Sequence, residues 1–357
     1  MTQPLPPGST IGILGGGQLG RMLSVAASRL GFRTVIFEPG ADCPASHTAM
    51  RHVQAGYDDL DALRDFGNAV DVITYEFENI PTEALDALEN IRPIHPGREA
   101  LRISQDRLTE KTFLRDLGLQ TAPFAAVDDA QTLAEAIATI GTPAILKTRR
   151  FGYDGKGQAR LTSPDDASAA LEAVQGAPSV LEGFVNFTAE ISVIAARGSD
   201  GRVAAFDPGQ NVHKEGILRT TTVPADLPNR IVTDAVLTAG RILNALDYVG
   251  VLGVEFFVAP NGLIINEIAP RVHNSGHWTQ NGCMTDQFEQ HIRAVAGWPL
   301  GDGSRHSDIR MENLIGDDMD RVPALAADPA CALHLYGKAE TKPGRKMGHA
   351  NFLTSGT

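Results

Sequence analysis

Residues 10–38 have the pattern of a strand, a glycine-rich loop, a helix and a second strand, and this pattern restricts the fold more than any other stretch of the chain. A short apolar run at 10–14 enters a loop that carries Gly15, Gly17 and Gly20, and a helix is predicted over 21–30. A second apolar run at 34–37 ends in Glu38. Strand, helix and strand in this order predict a parallel sheet of the Rossmann type, with the loop at a helix N-terminus.

The loop glycines also match the dinucleotide fingerprint, because an acidic residue, Glu38, follows about twenty positions later. Taken at face value, this match indicates an NAD-dependent oxidoreductase. The N-terminus of a helix attracts any anion, however, so a phosphate monoester fits the same loop. A third apolar run at 70–75 leads directly to Glu76 and then to Glu78. At the carboxyl edge of a parallel sheet Glu76 is expected at a ligand site, whereas Glu78 could equally be a solvated strand end.

Length, charge and cysteine content exclude several classes of protein. A chain of 357 residues is expected to form two or three domains. The net charge of -12 argues against duplex nucleic acid as a partner, because binding to the phosphate backbone requires a basic face. No apolar run is long enough to span a membrane and the first residues do not resemble a signal peptide, so a cytoplasmic location is expected. Cys43, Cys283 and Cys331 lie far apart and are expected to be reduced thiols.

A second glycine-rich loop follows a short apolar run that ends in Lys147. It carries Gly152, Gly155 and Gly157 together with cationic side chains such as Lys156. Glycines allow backbone N–H groups to approach an anion closely, and the cations would neutralise it, so a polyphosphate is the predicted ligand. The spacing is not that of a P-loop, and an ordinary surface hairpin is the alternative.

Two apolar runs, 254–258 and 263–267, flank the residues Pro260-Asn261-Gly262 and predict a β-hairpin with a three-residue loop. In that register Glu255 and Glu267 lie opposite each other. Two carboxylates at this separation repel unless a cation lies between them, and a site made only of oxygen ligands suits Mg²⁺. An exposed acidic pair is the less favoured alternative, because the neighbouring residues are apolar.

Polar residues follow directly after this hairpin. Arg271, His273 and Asn274 combine a cation, an imidazole and an amide, and such a set can hold a small anion. The last segment is locally basic around Lys338 and again at 345–349. A basic patch of this kind is usually a solvated turn, but here it could bind a phosphate group.

Together these features resemble the ATP-grasp ligases, which hold ATP between two lobes. The resemblance is carried by Lys147, the loop 152–157, the strand at 182–185, Glu190, Glu255 and the Asn266-Glu267 pair. Longer motifs at 15–22, 75–79, 151–158, 266–276 and 345–349 are closely similar to the branch of this family that carboxylates 5-aminoimidazole ribonucleotide in purine biosynthesis. The motifs occur in the same order, and the similarity runs from about residue 11 to the C-terminus.

The resemblance implies an ATP-grasp fold of mixed α/β and α+β class. It divides the chain into an N-terminal Rossmann-like (pre-ATP-grasp) substrate-binding domain at 1–103, a small lid domain with the glycine-rich loop at 104–180, and a larger C-terminal domain with the metal-binding hairpin at 181–357. It also implies ATP and Mg²⁺, with Mn²⁺ as an alternative metal. The expected assembly is a homodimer without a nucleic acid or membrane partner.

The resemblance further assigns roles to individual residues. One set of residues is expected to hold the phosphates of ATP: Arg107, Lys147, Tyr153, Asp154, Gly155, Lys156, Gly157 and Gln158. The remaining nucleotide contacts are Glu182, Gly183, Phe184 and Val185 around adenine, Glu190 at the ribose, and His213, Asn266 and Glu267 nearby. The metal ligands are Glu255 and Glu267.

The same resemblance places the two other substrates. The ribonucleotide is expected to contact Gly17, Gln18, Leu19, Glu76, Tyr153 and Arg271, with its phosphate at Lys338 and Arg345. Bicarbonate is expected near Arg271, His273 and Lys346. These three residues and Asp154, which would organise the substrate amine, are the expected catalytic residues.

The implied reaction transfers the γ-phosphoryl group of ATP to bicarbonate, and the exocyclic amine of the ribonucleotide then captures the carboxyl group from carboxyphosphate or from released carbon dioxide. The sequence leaves other functions open. One is a sister ATP-grasp ligase that uses formate or another carboxylate. An NAD-dependent oxidoreductase is supported only by Gly15, Gly17 and Gly20, and a nucleotide-sensing module would bind ATP without releasing ADP.

Overall fold

The computed structural model describes residues 3–152 and 155–354. Its strands form three sheets, of which the first is parallel and the other two are antiparallel. No helix in these two ranges is long and apolar enough to cross a membrane. The combination of a parallel sheet with antiparallel sheets agrees with the mixed fold class that the sequence predicts.

The first sheet contains the predicted βαβ opening. Its elements are β1 (Thr10–Leu14), α1 (Gln18–Arg29), β2 (Arg33–Phe37), β3 (Arg51–Val53), α2 (Leu60–Asn68), β4 (Val72–Tyr75), α3 (Thr82–Glu89) and α4 (Arg98–Ser104). The strand order is β3-β2-β1-β4, and all pairs are parallel. The carboxyl ends of β1, β2 and β4 therefore meet at one edge, where the first glycine loop lies next to Glu76.

The second sheet is small and carries the second glycine loop. Its region contains α5 (Arg107–Asp116), β5 (Phe124–Val127), α6 (Ala130–Ile140), β6 (Ala144–Thr148), β7 (Gln158–Leu161), α7 (Ala167–Ala173) and β8 (Ser179–Gly183). The strand order is β5-β8-β6-β7. The Asp129 carboxylate caps helix α6 at its N-terminus, and Gly141 ends the helix with a φ of 83°.

The third sheet has nine strands and is the largest of the three. Its region contains β9 (Ala189–Arg197), β10 (Val203–Ala205), β11 (Gly209–Lys214), β12 (Ile217–Val223), α8 (Asn229–Ala245), β13 (Gly250–Ala259), β14 (Gly262–Ala269), α9 (Thr279–Gly282), α10 (Gln287–Val295), β15 (Asp308–Ile315), α11 (Val322–Ala327), β16 (Cys331–Leu335) and β17 (Lys346–Thr354). The order is β14-β13-β9-β11-β12-β15-β17-β16, with β10 paired to β9. Sequence patterning missed β11, β12 and β15–β17, because their polar side chains obscure the apolar alternation.

The hairpin of β13 and β14 has a shorter loop than the sequence predicts. Ala259 pairs with Gly262, so only Pro260 and Asn261 form the turn. The expected three-residue loop is therefore wrong. A two-residue turn shifts the pairing of the two strands by one position, and this shift alone would separate the two glutamates.

A β-bulge restores the predicted pairing. Phe256 pairs with Ile265, the register shifts by one residue after this pair, and Glu255 pairs with Glu267. Asn266 is the extra residue, which has no partner of its own on β13. The opposition of the two carboxylates is thus confirmed, but the bulge produces it and the loop does not.

Candidate active site

The amides of the first glycine loop are bonded to carboxylates of the chain itself. Gly17 and Gly20 donate their backbone N–H groups to the two carboxylate oxygens of Glu76, and the distance from Gly20 N to Oε2 is 2.7 Å. Gly16 donates to Glu38 Oε2 at 3.0 Å. The expectation that these amides hold a ligand phosphate is therefore wrong, because the N-terminus of α1 already faces a carboxylate. The loop gives no support to a bound NAD pyrophosphate either.

Glycine is required in this loop because Glu76 approaches it so closely. A Cβ at Gly15 would lie 2.5 Å from Glu76 Cγ, and a Cβ at Gly17 would lie 2.5 Å from Glu76 Oε1. Burial raises the pKa of Glu76, although its two amide hydrogen bonds act in the opposite direction. Gln18 and Leu19 form the first turn of α1 directly beside this carboxylate.

Glu78 forms a bidentate ion pair with Arg271. Arg271 Nε lies 2.6 Å from Glu78 Oε2, and Arg271 Nη2 lies 3.2 Å from Oε1. Burial would raise the pKa of Glu78, but the Arg271 guanidinium outweighs this and lowers it. A solvated strand end is therefore the wrong interpretation of Glu78. The pair joins the carboxyl edge of the first sheet to the segment that follows β14.

Each carboxylate of the opposed pair has its own neighbours. Arg107 Nη1 lies 2.9 Å from Glu267 Oε2. On the other strand, Glu255 is 3.4 Å from Asn266 Nδ2 and 3.5 Å from His273 Nε2. The pair therefore lies between a guanidinium on one side and an imidazole on the other.

The charges of this pair are unequal. Burial would raise the pKa of Glu267, but Arg107 and Lys147 outweigh it and lower the pKa. Burial and the negative charge of Glu267 raise the pKa of Glu255. Asn266 Oδ1 is buried beside them without a hydrogen-bond partner. An unsatisfied oxygen next to two opposed carboxylates fits a hard cation such as Mg²⁺.

Within residues 3–152 and 155–354, no group of three or more His, Cys, Asp or Glu side chains is arranged to hold a metal ion.

A second charged cluster lies between α5 and the small sheet. Glu182 Oε2 is 3.1 Å from Lys147 Nζ and 3.3 Å from Lys111 Nζ. Burial would raise the pKa of Glu182, but Lys147, Lys111 and Arg107 outweigh it and lower the pKa to about 2. Glu182 Oε1 is buried without a partner. The cluster thus combines fixed cations with a free carboxylate oxygen.

The second glycine loop joins β6 to β7 and is anchored at its base by Arg107, whose N–H donates to Arg149 O at 2.9 Å. Gly155 has a φ of 77°, and a Cβ there would lie 3.4 Å from Gly216 Cα in the turn between β11 and β12. The loop therefore reaches the large sheet. Lys156 and Gly157 lead into β7, which begins at Gln158. Tyr153 and Asp154 lie outside the described residues.

The other residues predicted to contact the nucleotide lie on or after β8, which carries Glu182, and on β9 and β11 of the large sheet. Gly183 ends β8, and Phe184 and Val185 follow it directly. Glu190 on β9 and His213 on the adjacent strand β11 form an ion pair. Burial would lower the pKa of His213, but Glu190 outweighs it and raises the pKa.

The predicted anion-binding residues are only partly brought together. Burial and the charge of Arg271 lower the pKa of His273 to about 3, and Lys346 acts in the same direction. Lys338 Nζ lies 2.7 Å from Lys346 O, so these two lysines are neighbours. Arg345 instead donates to the backbone of its own loop, to the carbonyl of residue 340. The structure therefore groups Arg271, His273 and Lys346, with Arg345 apart from them.

Asn274 does not belong to this anion-binding cluster. Its side chain exchanges two hydrogen bonds with the Asn313 side chain, at 2.9 and 2.7 Å. The expectation that Asn274 helps to hold an anion is therefore not supported by its contacts.

Glu110 and Lys111 on α5 were not predicted as site residues. Both are buried, and both contact the strand that carries Glu267. The available signal was their spacing from Arg107, since residues three and four positions apart share one face of a helix. An Arg, a Glu and a Lys on one face are also typical of a solvated helix, so the sequence could not separate the two cases.

Models of known families match three successive segments of the chain. A ribonucleotide synthetase preATP-grasp domain matches residues 9–105, an ATP-grasp domain matches 112–288, and a phosphoribosylaminoimidazole carboxylase C-terminal domain matches 310–356. The ATP-grasp match contains both the cluster around Glu182 and the opposed pair of Glu255 and Glu267. The chain is an ATP-grasp carbon–nitrogen ligase.

Curated relatives narrow this class to one family. The chain is 57% identical over 348 residues to the N5-carboxyaminoimidazole ribonucleotide synthase of Brucella melitensis, covering 97% of this chain and 96% of the relative. It is 45% identical to the enzyme of that name from Pseudomonas aeruginosa, covering 95% of this chain and 93% of the relative. The chain belongs to the N5-carboxyaminoimidazole ribonucleotide synthase family.

Solved structures of this family have the same fold. An ADP complex of N5-carboxyaminoimidazole ribonucleotide synthetase superposes with a TM-score of 0.97 at 40% identity, covering 100% of this chain and 95% of that chain. The Aspergillus clavatus enzyme, solved with ADP and 5-aminoimidazole ribonucleotide, superposes with a TM-score of 0.92 at 31% identity, covering 98% and 94%. The predicted ATP-grasp fold with a pre-ATP-grasp domain is confirmed.

Proposed function

We infer that this protein carboxylates 5-aminoimidazole ribonucleotide with bicarbonate at the expense of ATP, giving N5-carboxyaminoimidazole ribonucleotide, ADP and phosphate in de novo purine biosynthesis. The observation that carries this inference is the ion pair between Arg271 and Glu78. It joins the hairpin that holds Glu255 and Glu267 to the sheet edge that holds Glu76. The proposed nucleotide site and the proposed second-substrate site would therefore lie next to each other.

The ATP phosphates would be held by Arg107, Lys147 and the loop that contains Tyr153, Asp154, Gly155, Lys156, Gly157 and Gln158. The buried cations near Glu182 support this role, because a polyphosphate needs fixed positive charge that requires no reorganisation during transfer. Glu182, Gly183, Phe184 and Val185 would surround adenine, and the free Glu182 Oε1 could accept from its amino group. Glu190 and His213 would contact the ribose.

Glu255 and Glu267, with Asn266 Oδ1, would hold Mg²⁺, or Mn²⁺ in its place. When bound, the ion supplies neutralisation of the phosphate oxygens. Arg107 keeps Glu267 ionised and oriented through its 2.9 Å contact. Because both carboxylates are fixed by the hairpin, the γ-phosphoryl group would be aligned before transfer begins.

Bicarbonate would bind at Arg271, His273 and Lys346 and accept the γ-phosphoryl group to form carboxyphosphate. Arg271 is the fixed cation, since Glu78 holds its guanidinium in one plane. The lowered pKa of His273 keeps its imidazole neutral. A neutral imidazole can donate a hydrogen bond to bicarbonate without adding a positive charge to the site. Closure of the glycine loop would exclude water from the reactive intermediate.

The ribonucleotide would lie against Gly17, Gln18, Leu19 and Glu76, with Asp154 organising its amine and Tyr153 at its side. Lys338 and Arg345 would bind its phosphate. The position of the Lys338 segment supports this arrangement, because a Cβ at the preceding Gly337 would lie 3.6 Å from Arg21 Nη1 on α1. The C-terminal segment thus returns to the first sheet.

The domain limits 1–103, 104–180 and 181–357, the homodimer and the cytoplasmic location are also part of the proposal. The three separate sheets support the division into domains. Val25 and Leu335, each more than a third exposed, line one cleft between α1 and β16 and offer an apolar contact for a second copy. Cys43, Cys283 and Cys331 are unpaired, as expected in a reducing compartment.

One assay tests the main proposal. ADP release is measured with ATP and Mg²⁺ while bicarbonate, formate and 5-aminoimidazole ribonucleotide are added or omitted one at a time. Release that requires both bicarbonate and the ribonucleotide is expected. Release that requires formate would favour the sister ligase, and ATP binding without release under any mixture would contradict a ligase. Glu267→Gln should reduce the rate by about 100-fold or more at unchanged folding, because it removes a metal ligand.

A further inference from the structure

Strand β14 lies at the edge of the large sheet, and its outward backbone meets only an isolated bridge between Ile265 and Thr121. Around the bulge, side chains of α5 bind the outward backbone groups instead. Lys111 Nζ lies 2.7 Å from Asn266 O, and Glu110 Oε1 lies 2.5 Å from Ile268 N. A buried backbone group without a hydrogen-bond partner is costly, so these two contacts stabilise the edge of the sheet at the bulge.

The two bonded groups belong to the two peptide units that flank Glu267. The Asn266 carbonyl is in the peptide bond before Glu267, and the Ile268 amide is in the peptide bond after it. A peptide unit is planar, so fixing both units fixes the direction in which the side chain between them leaves the backbone. Arg107, one turn earlier on α5, binds the Glu267 carboxylate itself.

The direction of the Glu267 side chain needs to be fixed because the hairpin has an alternative strand register. The two-residue turn pairs Ala259 with Gly262, and an unbroken continuation of that register would place Asn266 opposite Glu255. Since strand side chains alternate between faces, loss of the bulge would turn Glu267 to the other face of the sheet. The bulge is therefore the feature that distinguishes a carboxylate pair from a carboxylate and an amide.

We propose that Glu110 and Lys111 are positioning residues that hold the β14 bulge in the register that aligns Glu267 with Glu255. The inference rests on the metal pair proposed above. Lys111 is fully buried and also lies 3.3 Å from Glu182, so it connects the cluster of the small sheet to the metal hairpin. A buried lysine and glutamate are costly compared with apolar side chains, and here their contacts are with the backbone on either side of Glu267.

The test compares two substitutions at Glu110. Glu110→Gln keeps an oxygen that can accept from the Ile268 amide, whereas Glu110→Met has a similar length and no acceptor. Mn²⁺ binding in the presence of ADP is followed by electron paramagnetic resonance, so the measurement does not depend on turnover. Glu110→Met should weaken Mn²⁺ binding about 10- to 100-fold, the range for residues that orient a metal ligand. Glu110→Gln should stay within about threefold of the unsubstituted protein.

Two further variants separate positioning from general damage. Lys111→Met should also weaken Mn²⁺ binding about 10-fold or more, because the Asn266 carbonyl loses its partner. Arg115→Met removes a cation from the same helix at a position that pairs with Asp116, away from β14, and should bind Mn²⁺ normally. ADP binding without metal should be unchanged in Glu110→Met, since the Glu110 side chain binds the backbone of Ile268 at the edge of the hairpin.

Several results would overturn the proposal. Normal Mn²⁺ binding by Glu110→Met would do so, as would a Glu110→Gln variant that is as weak as Glu110→Met. Failure of the unsubstituted protein to bind Mn²⁺ would instead overturn the metal site itself. If Glu110→Met does not fold, hydrogen exchange of the Ile268 amide in the unsubstituted protein tests the proposal in its place. The Ile268 amide faces no strand and should exchange slowly because of Glu110, and fast exchange would contradict the proposal.

Discussion

Glu255 lies opposite Glu267 because Asn266 is the extra residue of a β-bulge. The pair is therefore a product of local backbone geometry as well as of residue type. Its two carboxylates differ in environment, with the Arg107 guanidinium at Glu267 and the His273 imidazole at Glu255. This difference leads to a testable dependence on pH.

Mn²⁺ binding should weaken as the pH falls below about 7. Burial and the charge of Glu267 raise the pKa of Glu255 to about 7, so below that pH the metal must displace a proton from Glu255. Each unit of pH below the pKa should lower the apparent affinity by up to about tenfold, and the affinity should level off above it. Titrations of the protein with Mn²⁺ and ADP across this range would measure the slope, and an affinity that stays constant would contradict the prediction.

Glu78→Gln should impair the use of bicarbonate more than the use of ATP. The substitution removes the charge that fixes the Arg271 guanidinium, and hydrogen bonds between charged groups contribute about 1.5–3 kcal/mol. An increase of about tenfold in the KM for bicarbonate, with little change in the KM for ATP, is expected. Glu83→Gln, at an exposed position in the first turn of α3, is the matched control. Equal effects of Glu78→Gln on both substrates would argue against a local role for the pair.

Lys147→Met should destabilise the protein by about 3 kcal/mol, because it removes a partner of the buried Glu182 carboxylate. The double variant Lys147→Met/Glu182→Leu should regain much of this stability without regaining activity. Lys342→Met breaks an exposed contact with Glu340 and should leave the free energy of unfolding nearly unchanged. Urea unfolding followed by circular dichroism would measure all three values. A double variant less stable than Lys147→Met would contradict this explanation.

The same ion pair predicts how stability changes in acid. The pKa of Glu182 is lowered from 4.5 to about 2 in the folded state, where Lys147, Lys111 and Arg107 outweigh the effect of burial. For an acid whose folded pKa is depressed, the stabilisation is complete above the unfolded pKa and is lost as the pH falls through the folded pKa. Unfolding free energies should therefore fall less between about pH 5 and pH 2 in the double variant Lys147→Met/Glu182→Leu than in the unsubstituted protein. Parallel acid profiles would contradict this.

Gly155→Val should reduce kcat/KM for ATP by about 10- to 100-fold, because a displacement of a catalytic loop by about 1 Å has effects of this size. Gly155 has a positive φ, and its Cβ would be built against the turn at Gly216. Gly176→Val is a matched control, since Gly176 also has a positive φ, of 64°, but faces open space. Both variants carry similar backbone strain, so steady-state kinetics would isolate the effect of loop position. Equal kinetic losses would show that strain alone is responsible.

Much of the site chemistry can be predicted from the sequence, because it depends on residue types and on their spacing over a few positions. The βαβ opening, the glycine loop after Lys147 and the carboxylates at Glu255 and Glu267 are all visible as local patterns. Local patterns also predict α6 between Asp129 and Gly141, because capping depends on a few adjacent residues. These elements determine the fold class and the kind of ligand.

Long-range pairing decided the features that the sequence left open or suggested wrongly. Glu76 occupies the amides of the first glycine loop from a strand about 60 residues later, and no local pattern encodes that contact. Glu78 meets Arg271 across 193 residues. Strands such as β11 carry polar residues that face the site, so their periodicity is hidden from sequence analysis.

The sequence by itself determined that two glutamates belong to one hairpin. Only the tertiary structure decided how they meet, through a two-residue turn, an unpaired Asn266 and the hold of α5 on the backbone around Glu267. The physical reason is that a register shift of one residue changes no local preference but reverses the face on which every side chain lies. Contacts from another element are needed to select one register, and these contacts exist only in the folded chain.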